Sequence, residues 1–400
     1  MKLITRLIGS SGSCVVAEKI LEADSTIVKC PFDLVITQAL AKKKVIEILG
    51  GSVNEGTSEW RERQWIATYI TFHGIIGPQD PGLDASDKLL HREYLDTLPT
   101  SASLRTPLHF TPSELELFKG TNIYGATLDR DREWKTEWNQ CRDEISRFDK
   151  NLGERFTWEH YLTAATYLSS RAFPSSLLSP TPTLVHSDST QPILIPGVDA
   201  LNHERGQPVS WSVTIPDAKH QDSQKPTISL TIHRPTAEGE ELFNNYGPKP
   251  NSELILGYGF SIPNNPDDTI VLKIGGMEGS EAKKWEIGRK AQGADAFWTD
   301  QLSQFTGQGQ PPTYEDILDA SGMLSEMLED KIGRLPSAEV QNVHELRPDV
   351  VTMFHHYLEG QNDILSSLLD FLKARTQDGI NMAREEGIDI VLEESDSMSE

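Results

Sequence analysis

Two β-rich segments, held apart by the whole of residues 42–150, constrain this chain more than any other feature. Residues 1–40 read as short strands and turns: "SCVVAEKI" and "STIVKCPFDLVIT" carry β-branched residues on either side of an Ala23-Asp24 turn. Strand signals return with "ILIPGVDALNH", "PVSWSVTI" and "PTISLTIHRP", the last two flanking "PDAKHQDSQK" as a long hairpin loop. Neither segment could bury a core alone, so the two are expected to build one domain around a helical insert. The fold class this predicts is α+β.

The insert has clear helical punctuation. "SEWRERQWIATYITFHG" spaces Trp65, Tyr69 and Phe72 near the helical period, with Gly74 as a stop. "TPSELELFKGT" offers Thr111 as N-cap, Pro112 at the first helical position and Glu114 at the third, the pattern of a capping box. "DREWKTEWNQCRDEISRF" and "TWEHYLTAATYLSSRAF" are amphipathic, and "PSSLLSPTPTLVHSDSTQP" is an exposed loop. Beyond Asn264 the chain reads as helical again, through "EAKKWEIGRKAQGADAFWTDQLSQF", "TYEDILDASGMLSEMLEDKI" and "VVTMFHHYLEGQNDILSSLLDFLKARTQ", before an acidic, frayed end.

The chain has 400 residues, and 37 Lys+Arg against 60 Asp+Glu give a formal net charge of −23. That balance disfavours sequence-independent nucleic-acid binding and suits a basic, lysine-rich protein partner, or serves solubility alone. No apolar run approaches the ~18–20 residues of a membrane span, and no signal peptide is read at the N-terminus. Cys14, Cys30 and Cys141 are scattered, which argues against a zinc site or a disulfide framework and fits a reducing compartment, cytosol or nucleus.

The common catalytic signatures, GxSxG, HExxH and the P-loop lysine motif, are missing from the sequence. Asp199 and His203 have i, i+4 spacing, but Pro196-Gly197 just before them signals a turn rather than a helix, and no metal is expected there. Three segments remain: Ser170-Arg171-Ala172-Phe173, "LIPGVDALNH" and "NNYGPKPNSELILGYGF". Packing alone accounts for much of this: Tyr246 as a tyrosine at a turn, Asn202 as a turn residue tolerating left-handed geometry, Arg171 as a cation at a helix C-terminus, and Tyr258 and Phe260 as core aromatics.

In this order, the three segments resemble the SET-domain methyltransferases of the Rubisco large-subunit methyltransferase type. That group includes fungal ribosomal-protein lysine methyltransferases and the actin-histidine methyltransferase. "REYLDTLP" and "FTPSELELFKGT" are similar to parts of the family's helical insert. The resemblance implies a SET core of small β-sheets from 1–40 and 166–262, a helical insert at 41–165, a helical substrate-binding domain at 263–390 and an acidic tail at 391–400.

It also implies transfer of a methyl group from S-adenosylmethionine to a lysine ε-amine of a non-histone protein, a ribosomal or translation protein being one class. Nothing like the cysteine-rich segment of chromatin-type SET enzymes follows Phe260. Tyr246 matches the catalytic tyrosine. Gly12, Arg171, Asp199, Asn202, His203 and Phe260 match positions lining the cofactor site, and Phe173 and Tyr258 match walls of the substrate channel. An aromatic at 173 favours the slim lysine amine over an imidazole.

The chain departs from the family at its Gly-x-Gly turn, where Gly12 is followed by Cys14 at the second glycine. A Cβ there is expected either to crowd the cofactor or to force φ into a costly region. The alternatives are a SET-like interaction module without activity and a histidine N-methyltransferase.

Overall fold

A computed structural model of the chain describes residues 3–7, 13–50, 59–77, 80, 88–185, 187–216, 225–274, 283–307 and 309–390. The chain divides into two compact units. The first takes 1–110, 126–248 and 255–259, and the second takes 111–125, 249–254 and 260–400.

In the first unit the two β segments do come together. β1 (Leu3–Leu7) pairs antiparallel with β2 (Ser13–Ala17). β3 (Ser25–Pro31) forms one edge of a three-stranded antiparallel sheet with β7 (Val209–Thr214) at the other edge and β8 (Thr227–Ile232) between them. The chain enters β3 through Asp24, whose φ of 63° confirms the turn there. β4 (Phe173–Pro174) pairs with β5 (Pro192–Ile193), and β6 (Asn202–His203) lies parallel to β9 (Phe243–Asn244). Single bridges tie early to late sequence, Val16 to Glu241, Leu21 to Thr236 and Ile36 to Leu194. Val15, Ile27, Leu177, Ile195, Leu230 and Leu242 share one core among these strands.

A second core of the same unit is helical. The Glu62–Ile75 helix is buried along nearly its whole length, and Trp65, Tyr69 and Phe72 pack with Phe156, Tyr161 and Ala165. The helix runs through Gly74 and ends one residue beyond it, where Arg92 donates to the carbonyls of His73 and Ile76.

In the second unit, Thr111 and Glu114 form the expected capping box around the Pro112–Glu116 helix. Glu114 also binds Arg347, whose backbone N–H and guanidinium both donate to its carboxylate. The helices Ala294–Leu302, Tyr314–Gly333 and Pro348–Glu385 supply Phe297, Leu324, Leu328, Ile364 and Leu368 to the core.

One expectation is corrected here. The stretch around "KKWEIG" is not helical: β10 (Thr269–Ile274) and β11 (Lys283–Gly288) form an antiparallel ladder. "TIVLKI" alternates along one strand, with Ile270 and Leu272 buried, and Trp285 faces Leu272 across the ladder. Period 2 and cross-strand packing win over the charge-rich, helix-like composition. The acidic end, 391–400, lies outside the described residues. Among the described residues no helix is long and apolar enough to cross a membrane.

Candidate functional site

Two turns build the site within the first unit. In Ile195-Pro196-Gly197-Val198, proline and glycine take the central positions, Gly197 has φ +86°, and the Val198 N–H donates to the Ile195 carbonyl at 3.1 Å. Pro then Gly at positive φ is the chemistry of a type II turn, and it delivers Asp199 to β6. The second turn follows β9. Asn244 Oδ1 accepts from the Asn245 N–H at 2.8 Å, Asn245 Oδ1 accepts from the Gly247 N–H at 2.9 Å, and Gly247 takes φ +89°.

Tyr246 is thereby set against β6. Its N–H donates to His203 Nδ1 at 3.1 Å, which leaves the imidazole proton on Nε2 in the neutral ring. The rings of His203 and Tyr246 stack with centroids 5.0 Å apart, and Tyr258 stacks on Tyr246 at 5.2 Å. The Tyr246 hydroxyl donates to the Leu201 carbonyl at 2.8 Å. Burial raises its pKa above the ordinary phenol value, against a smaller opposing pull from Arg171, so it remains a neutral phenol at pH 7.

Tyr258 ends a π-helical turn, Leu254–Tyr258, in which Arg130 Nη1 donates to the Leu256 carbonyl. Next to it, Gly259 has φ +80°, and a Cβ there would lie 2.7 Å from the Arg105 carbonyl carbon. Only glycine allows that approach.

Arg171 is the last residue of the Trp158–Arg171 helix, yet its side chain does not fold back on that helix. Nη1 donates to the Asp199 backbone carbonyl at 2.8 Å and lies 3.5 Å from Asp199 Oδ2. The same Oδ2 accepts from the Tyr94 hydroxyl at 2.6 Å. The Asp199 side chain is 1% exposed and Oδ1 has no hydrogen-bond partner among the described residues. Burial raises the carboxyl pKa while Arg171 and Tyr94 oppose the rise. The Arg171 side chain is 22% exposed, and its Nε and Nη2 donors have no hydrogen-bond partner among the described residues. This cation is thus equipped to take an anionic group. The Asn202 amide donates to the Ser13 carbonyl and to Glu241 Oε1, tying β6 to β2 and to the residue two before β9.

Arg171, Asp199, Asn202, His203, Tyr246 and Tyr258 therefore converge in one unit. Phe173 is half-buried in β4 and packs against the strand core. Phe260 belongs to the second unit. Gly12 lies outside the described residues. Cys14 departs from the expectation of strain: it is buried in β2 and is not among the residues with positive φ, because the antiparallel ladder with β1 holds it extended.

Sequence reasoning did not single out Tyr94, Glu241 or the Leu201 carbonyl. Tyr94 lay inside the noted "REYLDTLP", but nothing local tells a packing tyrosine from one bonded to a carboxylate 105 positions away. The rings and the held phenol suit a cation or an amine. The phenol accepts or donates hydrogen bonds but is a poor base.

No family model matches the chain. It is 32% identical over 259 residues to the Ribosomal lysine N-methyltransferase set10 of Schizosaccharomyces pombe, a match covering 65% of this chain and 41% of that protein. It is 26% identical over 303 residues to Ribosomal lysine N-methyltransferase 1 of Saccharomyces cerevisiae, covering 66% and 46%. The chain thus spans less than half the length of these two curated relatives. Among solved structures it is similar to the SET domain of LSMT bound to lysine and AdoHcy, with a TM-score of 0.68 and 15% identity, over 95% of this chain and 88% of that one. The fold is the α+β SET-domain fold, and the likeness to SET-domain methyltransferases read from the sequence is borne out by both comparisons.

Proposed function

We propose that this chain is an S-adenosylmethionine-dependent protein-lysine N-methyltransferase acting on a non-histone protein. The observation that carries the reading is the series His203, Tyr246, Tyr258, with the Tyr246 hydroxyl fixed on the Leu201 carbonyl beside the Asn202-His203 strand. The relatives named above act on ribosomal lysine, which supports the same acceptor class here.

When bound, S-adenosylmethionine supplies a methyl group on a positively charged sulfur. The residues present fit it: Arg171 offers two donor nitrogens, Nε and Nη2, for its carboxylate, and Asn202 and His203 stand at the strand that would flank it. Phe260 and Gly12 are assigned to the cofactor on the family resemblance alone. The Tyr246 hydroxyl donates its hydrogen bond to the Leu201 carbonyl and keeps its oxygen lone pairs for the N–H of a lysine ε-amine, which orients the nitrogen. Tyr258 and Phe173 would wall the lysine stem. A free lysine has a pKa of about 10.4, so the site must favour the neutral amine. The aromatic lining does so by desolvation.

In this reading 1–40 and 166–262 form the catalytic core, 41–165 the insert and 263–390 the substrate-binding domain. The net charge of −23 suits a basic protein substrate, in cytosol or nucleus. The test is calorimetric titration with S-adenosylmethionine, followed by transfer of labelled methyl to a ribosomal protein fraction and mass spectrometry of the modified residue. Methyl-lysine is expected. Methyl-histidine would move the acceptor, and absence of cofactor binding would overturn the reading.

A further inference from the structure

We infer that Tyr94 is a positioning residue for the methyl donor: through Asp199 it sets the Arg171 guanidinium to receive a carboxylate. The inference rests on the function proposed above and extends it to a residue outside the aromatic series.

An arginine beside a buried carboxylate normally closes on it in a bidentate pair at ~2.7–2.9 Å. Here Arg171 Nη1 stands 3.5 Å from Asp199 Oδ2 and makes its short bond, 2.8 Å, to the backbone carbonyl of the same residue. The carboxylate is held away because the Tyr94 hydroxyl grips Oδ2 at 2.6 Å. Asp199 therefore stays beside Arg171 without capturing the guanidinium face, and Nε and Nη2 stay available, among the described residues, for a ligand carboxylate.

The mount of Tyr94 is rigid. It lies in the short Arg92–Leu95 helix, which is tied down at its first residue and at its N-cap His91. Arg92 donates to the His73 and Ile76 carbonyls. The His91 N–H donates to His73 Nε2, and His91 Nε2 donates to the Leu34 carbonyl. The Tyr69 hydroxyl closes the cluster on His91 Nδ1 at 2.7 Å. A hydroxyl on such a base cannot follow Asp199 if the carboxylate drifts, which is what a positioning group requires. Without that hydroxyl, Asp199 would keep one strong partner, Arg171, and close on it.

The experiment compares two ligands on the full 400-residue chain: S-adenosylhomocysteine, which carries the amino-acid carboxylate, and methylthioadenosine, which lacks it. Tyr94→Phe is expected to weaken S-adenosylhomocysteine about ten-fold while methylthioadenosine changes less than about two-fold, since one hydrogen bond to a charged group is at stake. Tyr94→His, which retains an N–H donor on a shorter arm, is expected to lower the affinity ratio about three-fold. It also supplies the comparison if Tyr94→Phe does not fold. An equal loss for both ligands makes Tyr94 merely structural and overturns the inference, as does an unchanged ratio in either variant. Wild-type protein that binds neither ligand overturns the proposed function itself, and this inference with it.

Discussion

Replacing Glu114 by glutamine tests how the second unit is held together. The carboxylate is 1% exposed and accepts from the Thr111 N–H at 2.8 Å, the Arg347 N–H at 3.0 Å, and Arg347 Nε and Nη2 at 2.7 and 2.6 Å. Burial alone would raise its pKa. The Arg347 side chain and the two backbone donors outweigh that and bring it from 4.5 to about 2. At ~1.4 kcal/mol per tenfold, the difference corresponds to about 3 kcal/mol of folding stability. Breaking a buried ion pair from one side likewise costs ~3–5 kcal/mol, and water reaching the partly exposed Arg347 brings this toward the lower end.

Because the folded pKa is depressed, the contribution is complete above about pH 4.5 and disappears as pH falls toward 2. Native-state hydrogen exchange over 348–385, corrected for its intrinsic pH dependence, should show Glu114→Gln opening more easily by about 3 kcal/mol at pH 7. The gap should shrink steadily below pH 4.5. A difference under about 1 kcal/mol at pH 7, or one that stays constant down to pH 3, would mean that the Glu114–Arg347 pair does not hold this unit together.

Tyr246→Phe keeps the ring stack and loses one neutral hydrogen bond, so stability should fall by only about 1 kcal/mol. Methyl transfer in a labelled-cofactor assay should fall about 10²-fold or more with cofactor affinity little changed. His73 is buried with its pKa lowered to about 4, mainly by desolvation. Its folded value lies below the 6.5 of the free group, so stability is full above pH 6.5 and declines toward pH 4 by up to about 3 kcal/mol. Thermal melts should show that slope flattened in His73→Gln. Gly259→Ala meets both a positive φ and backbone atoms at 2.7 and 2.9 Å, whereas Gly247→Ala meets the positive φ alone. Melts should therefore place the first at a loss well above ~2 kcal/mol and the second near ~1 kcal/mol.

Local chemistry made much of this protein legible. The capping box at Thr111-Pro112-Ser113-Glu114, the Asp24 turn and the Pro196-Gly197 turn each depend on residues within four positions of one another, and each formed where the sequence placed it. The two β segments had to meet because neither could cover its own apolar residues. The motif around Tyr246 reads the same way: consecutive asparagines and a glycine leave the turn few other conformations.

The tertiary structure decided the rest, because those outcomes depend on partners remote in sequence. "KKWEIG" became a strand since Trp285 found Leu272 across a ladder, and no local propensity records that pairing. Cys14 escaped strain because β1 holds it extended. Glu114 acquired Arg347, and Asp199 acquired Tyr94, across separations that composition and spacing do not encode. The sequence determined which groups were available and how each turn would bend. Which carboxylate faces which cation was decided only when packing removed water and left each buried charge to a partner that the fold had brought within reach.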